Sequence, residues 1–344
     1  MVPLELWMYP SAASTTMSPP SIEMCSSVGT RLGNFIASVH CDATLLSRSQ
    51  ALTEDGKPWL ENPDAKDLMR VKAVGRVLPI LQAHFGPGAD RNEKIAEIIS
   101  QDFEQSFLDA PHPSLPSPPS TAVAKSMFSV GDLWVGSFLV DTSPGPHSSS
   151  DPNLDENTQV KVGLIDWEFS SPARIGQDIV QLTAWLYMYS ALPDPGVGTS
   201  HGIDNEDGAG EEVEWRSAAG SLLRALLGAY ARKVKGYPDY AWFVDEEYDQ
   251  CRFKKERLAA IRTVWVLFGR EVICGVVGLK FKFAGFFAAD SGGDEEMKAW
   301  QRGMLQVGCW YVSMAGEKPD GEFEEIVRRE SVLKRIYTIS KNSQ

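Results

Sequence analysis

Two apolar runs that each deliver a carboxylate into a short loop constrain this chain more than anything else in it. The first is Ser129-Val130-Gly131-Asp132-Leu133-Trp134-Val135-Gly136-Ser137-Phe138-Leu139-Val140, and the second is Val162-Gly163-Leu164-Ile165-Asp166-Trp167-Glu168-Phe169. Short apolar runs bounded by Gly and acidic residues read as buried strands that end at loops. Asp132 lies in a Gly-flanked turn, where the backbone bends tightly and can approach a ligand. Asp166 and Glu168 stand two residues apart on an extended run, so they are expected on one face. Three carboxylates gathered at one loop surface are what a divalent cation and a reacting hydroxyl require.

Around these runs the pattern is mostly helical, which predicts an α+β, mainly helical fold with a small β-hairpin. Leu4–Met8 alternates and is expected to form one short strand, followed by a Pro- and Ser-rich loop to Ser21. Leu32, Phe35, Ile36 and Val39 recur at helical spacing within an expected helix over 22–41. Further helices are expected over 65–84 and 92–108, then a Pro/Ser linker over 111–120. A returning strand is expected over 159–169. Ile175, Ile179, Leu182, Leu186 and Tyr189 mark one face of the next helix. An acidic loop over 204–214 precedes four helices over 215–234, 247–279, 295–314 and 323–339. His40, alone on a helix face, is expected to be a satisfied packing residue.

With 344 residues the chain can bury a sizeable core. Its formal charge of -13 excludes nucleic acid and an anionic membrane surface as natural partners. The five cysteines, Cys25, Cys41, Cys251, Cys274 and Cys309, are odd in number and form no CxxC pair. They read as reduced thiols of an intracellular protein. The N-terminus lacks the basic start and apolar run of a signal peptide. The most apolar later stretch, Val264 to Phe287, is interrupted by Arg270, Glu271, Lys280 and Lys282, against a membrane span. A cytoplasmic location is therefore expected.

Gly131-Asp132-Leu133-Trp134 with Gly136-Ser137, then Ile165-Asp166-Trp167-Glu168, then Gly176-Gln177-Asp178-Ile179, resembles the aminoglycoside phosphotransferase family. Its relatives are the choline kinases and methylthioribose kinases, all on the protein-kinase-like fold. The resemblance runs from about Leu32 to the C-terminus. It implies a kinase-like C-terminal lobe in which the hairpin carries the catalytic and metal loops. It implies ATP and Mg²⁺ as cofactors and a small molecule bearing a hydroxyl as partner. In that family the residue at the Asp132 position takes or positions the hydroxyl proton. Asp166 corresponds to the Mg²⁺ ligand, with Glu168 and Ser137 as further donors. Asp178 corresponds to a buried aspartate that supports the catalytic loop.

The sequence also departs from that family. Val130 stands where histidine precedes the Gly-Asp pair, which is expected to loosen the loop. Ser137 stands where most members have asparagine, although methylthioribose kinases also carry serine there. Cys274 and Gly275 stand where methylthioribose kinases place paired arginines, which disfavours that substrate. No Gly-x-Gly-x-x-Gly precedes Leu32, and the first lysine is Lys57. The division expected is a residual hinge strand and linker over 1–22 and the helical lobe over 23–344. A disordered insertion is expected over about 141–158, and most of the nucleotide-binding lobe is expected to be absent. A non-catalytic, pseudokinase-like binding protein or truncated family member is the alternative.

Overall fold

A computed structural model of the chain describes residues 1–8, 20–51, 63–108, 126–141, 160–167, 169–192, 217–237, 240, 255–283 and 293–337. Chain order runs β1 (Val2–Pro3), α1 (Leu4–Met8), α2 (Ile22–His40), α3 (Ala43–Gln50) and α4 (Pro63–Met69). A π-helical turn (Arg70–Val74) leads to α5 (Val77–Phe85) and α6 (Asp90–Leu108). Next come β2 (Ser126–Ser129), a 3₁₀ turn (Val135–Ser137), β3 (Phe138–Asp141), β4 (Lys161–Leu164) and β5 (Ser171–Arg174). The helices α7 (Gln177–Ser190), α8 (Ala218–Lys235), α9 (Lys255–Phe283), α10 (Gly293–Glu317), α11 (Asp320–Arg329) and α12 (Lys334–Tyr337) complete it. The fold is α+β and mainly helical, with one three-stranded sheet in the order β1-β3-β4 and one two-stranded ladder, β2-β5. No helix among the described residues is long and apolar enough to cross a membrane.

The core is a helical stack in which α2 lies along α8, α7 packs on α8 and α9, and α10 covers α9. Helix starts are set locally: Ser21 caps Met24 N–H, Asp42 caps Thr44 and Leu45, and Ser217 caps Gly220. The α2–α8 approach depends on Gly29 and Gly33, one turn apart on the same face. A Cβ at Gly29 would lie 2.3 Å from the Leu222 carbonyl oxygen, and one at Gly33 would lie 2.3 Å from that of Leu226. Backbone cannot yield as a side-chain tip can, so Gly33→Ala is expected to destabilise by about 1–3 kcal/mol. Urea denaturation checks this, and an unchanged midpoint would mean that the helices are not in close contact there.

Several elements depart from the sequence expectation for identifiable reasons. Leu4–Met8 is helical, not a strand: Leu4, Trp7 and Met8 are buried at helical spacing while Leu6 is 47% exposed. The expected helix over 65–84 is two helices, because Pro79 would clash with the carbonyl four residues back. It sits instead in the first turn of α5, where its missing N–H costs nothing, and the π turn closes with Gly75 N–H on Arg70 O. The expected helix over 323–339 breaks at Glu330, whose buried carboxylate accepts from Val332 N, Lys334 N and the Tyr311 hydroxyl. α3 was not anticipated. Leu4, Trp7 and Met8 share the core cluster of α2, α7 and α8. The linker over 111–120, the acidic loop over 204–214 and the insertion over 141–158, apart from Asp141, lie outside the described residues.

Candidate functional site

Two antiparallel ladders bracket the acidic loops. β2 pairs with β5, ending at Ser129 opposite Ser171, and β3 pairs with β4, starting at Phe138 opposite Leu164. The segments between these ends, 130–137 and 165–170, must therefore face one another as two sides of an unpaired gap. They are tied directly. Ile165 N–H donates to Ser137 O at 2.9 Å, and the Ser170 hydroxyl donates to Val130 O at 3.4 Å. Gly131 has φ +99°, and a Cβ there would lie 2.1 Å from Phe169 O. Only glycine allows that approach.

Asp132 and Asp166 are thus brought onto opposed loops, and both are half-buried. Asp166 has φ +65°, the one non-glycine residue in the left-handed region among the described residues. That overturns the expectation of an extended run to Phe169: β4 stops at Leu164, and the chain turns at Asp166. Alternation across a strand therefore does not govern where the Asp166 side chain points, and Glu168 lies outside the described residues. Trp167 is 42% exposed, with its indole N–H on Leu164 O and its ring against Phe128.

Asp178 enters from the first turn of α7, just after Gly176 at φ +91°. It is fully buried and receives four donors: Ser129 Oγ at 2.6 Å, Val130 N at 2.7 Å, Gly131 N at 3.0 Å and His40 Nε2 at 3.0 Å. Burial alone would raise its pKa. Hydrogen bonds from His40, Ser129 and the Gly131 amide outweigh burial and hold the carboxyl below its ordinary value. The loop that carries Asp132 is therefore anchored at its root by a buried carboxylate. Val130 is itself buried, and its N–H is one of the four donors.

Ser137 is also buried. Its hydroxyl donates to Asp132 O at 3.2 Å and accepts from Trp134 N–H at 3.4 Å, closing the 3₁₀ turn on itself. Among the described residues no group of three or more His, Cys, Asp and Glu side chains is arranged to hold a metal ion. Mg²⁺ needs less than that, because it is usually bound through one or two carboxylates with water and phosphate oxygens filling its other positions. Asp166 and Asp132 meet that requirement in donor chemistry.

His40 is the buried, satisfied residue that its place on the helix face predicts, and its link to Asp178 is what the sequence did not reveal. It is buried at the C-terminal end of α2, with Nε2 on Asp178 and Nδ1 2.9 Å from the Tyr230 hydroxyl of α8. A polar residue four after Ile36 on the apolar stripe of α2 was the only signal. No protein-family model matches the chain, and no curated protein matches it.

Proposed function

We propose that the chain carries the phosphoryl-transfer site of an aminoglycoside-phosphotransferase-like, kinase-like fold, acting on a hydroxyl of a small molecule in the cytoplasm. One observation carries the reading: two acidic loops are held face to face between paired ladders, and a buried aspartate grips the backbone beside Asp132. Phosphoryl transfer demands positioning and charge neutralisation more than covalent chemistry. Asp132 orients the attacking hydroxyl and takes its proton, and Asp178 keeps that loop in place. Asp166 is the carboxylate that would hold Mg²⁺, which when bound neutralises nucleotide phosphate oxygens. The four described cysteines are free thiols, and burial pushes Cys25 and Cys41 up to about 12, which makes both poor nucleophiles.

The burial of the Ser137 hydroxyl in its own loop favours a second reading, a pseudokinase-like protein that binds without transfer. Calorimetric titration with Mg-ATP reads binding, and ADP release under the same conditions separates transfer from binding alone. On the first reading the wild type gives heat and Asp166→Ala does not, while Asp132→Ala still binds but loses transfer by roughly 10²–10⁴-fold. Silence from the wild type at high nucleotide concentration would end the kinase reading for this chain acting alone.

A further inference from the structure

The buried cluster behind Asp178 does not end at the carboxylate. His40 links three helices: its ring bonds Asp178 on α7 through Nε2 and Tyr230 on α8 through Nδ1. Its own carbonyl accepts from the Tyr240 hydroxyl at 3.0 Å. All three side chains of the line Tyr230, His40 and Asp178 are at most 1% exposed. Cys41, one residue further along the chain, and Tyr240 also act on Tyr230.

An ionised carboxylate only accepts, so the nitrogen facing Asp178 must carry a proton. Burial pushes the Tyr230 phenol well above its ordinary value, so its hydroxyl keeps its hydrogen and can donate to Nδ1. Each contact then has one donor and one acceptor, with the imidazole proton on Nε2. In the other neutral tautomer Nε2 would present a lone pair to Asp178, acceptor against acceptor, in a site closed to solvent.

We infer that His40 is a positioning residue for the acidic loop: Asp178 fixes the ring tautomer, Tyr230 anchors the far side of the ring, and the ring so placed holds Asp178 against the backbone of Val130 and Gly131. α8 is thereby coupled through α2 and α7 to the turn that presents Asp132. The coupling concerns where the loop sits and stands apart from phosphoryl transfer, so its test needs neither nucleotide nor metal.

Nitrogen-15 NMR of the wild-type imidazoles reads the tautomer directly. The proton is expected on Nε2 of His40, and a proton on Nδ1 alone would overturn the assignment. Amide hydrogen exchange then reads the loop. His40→Ala is expected to speed exchange at Val130 and Gly131 roughly ten- to a hundredfold beyond any change in the α9 and α10 core amides. His40→Gln, whose amide nitrogen can still donate to Asp178, is expected to restore most of that protection. Tyr230→Phe is expected to leave the proton on Nε2 and to give an intermediate rate, because the ring loses its anchor on α8. A uniform rise across all amides, with no rescue by glutamine, would make His40 packing only and sink the inference. If His40→Ala does not fold, the wild-type tautomer and the Tyr230→Phe and His40→Gln rates decide it.

Discussion

Asp178→Ala is expected to lower stability by about 3–5 kcal/mol, because it strips the acceptor from several buried donors at about 1–3 kcal/mol for each group left unsatisfied. Four donors converge on this carboxylate, and all four sit where water does not reach. The substitution leaves the Ser129 hydroxyl, two amides and an imidazole N–H without an acceptor, and each orphaned group adds a desolvation penalty. Denaturant titration measures the loss. A change below about 1 kcal/mol would mean the cluster has an alternative arrangement. Asp178→Asn keeps the shape but turns an NH₂ toward at least one donor, so it is expected to recover little. The pH dependence has a defined sign. The native pKa is depressed, so the contribution is fully present above the unfolded carboxylate value near 4 and is lost as pH falls through the native one. Asp102 and Glu330, raised by burial, act in the opposite sense, costing the native state as pH rises through their shifted values. The difference between wild type and Asp178→Asn isolates the Asp178 limb.

How far the site was legible follows from the range of the interactions involved. The Gly-flanked turn at Asp132 and the helix that presents Asp178 are local patterns, readable from Gly131 and from the stripe through Ile179, Leu182 and Leu186. The larger helices were also legible, because their apolar faces repeat over many turns. Short elements were not: Leu4–Met8 fits both periods over five residues, and only the burial of Trp7 chooses between them. Pro79 is a visible breaker inside the expected helix, and its clash with the preceding turn outweighs the apolar pattern there. The left-handed turn at Asp166 was hidden, since β-branched Ile165 and aromatic Trp167 both favour continued strand. The bonds of His40 were hidden for a different reason. Its partners Asp178 and Tyr230 lie 138 and 190 residues away, and no local pattern reports such a separation.

Gly131→Ala is expected to cost about 2–5 kcal/mol and to separate the two acidic loops. Two effects combine. At φ +99° an L-residue is strained by roughly 1–2 kcal/mol. The new methyl would also lie 2.1 Å from Phe169 O and 2.9 Å from Phe169 Cβ, and overpacking of that kind adds about 1–3 kcal/mol. Gly86 supplies the control. It has φ +92°, and among the described residues nothing lies within 4 Å of a Cβ built there, so Gly86→Ala carries the backbone strain alone. The excess of Gly131→Ala over Gly86→Ala measures the contact between the loops. Relief of that contact moves 130–137 away from 165–170 and lengthens the bond from Ile165 N–H to Ser137 O. Faster exchange of the Ile165 amide in Gly131→Ala, absent in Gly86→Ala, is the expected signature. Equal costs for the two substitutions would show that the loops are not in contact, and Asp132 and Asp166 would then have no common ligand to serve.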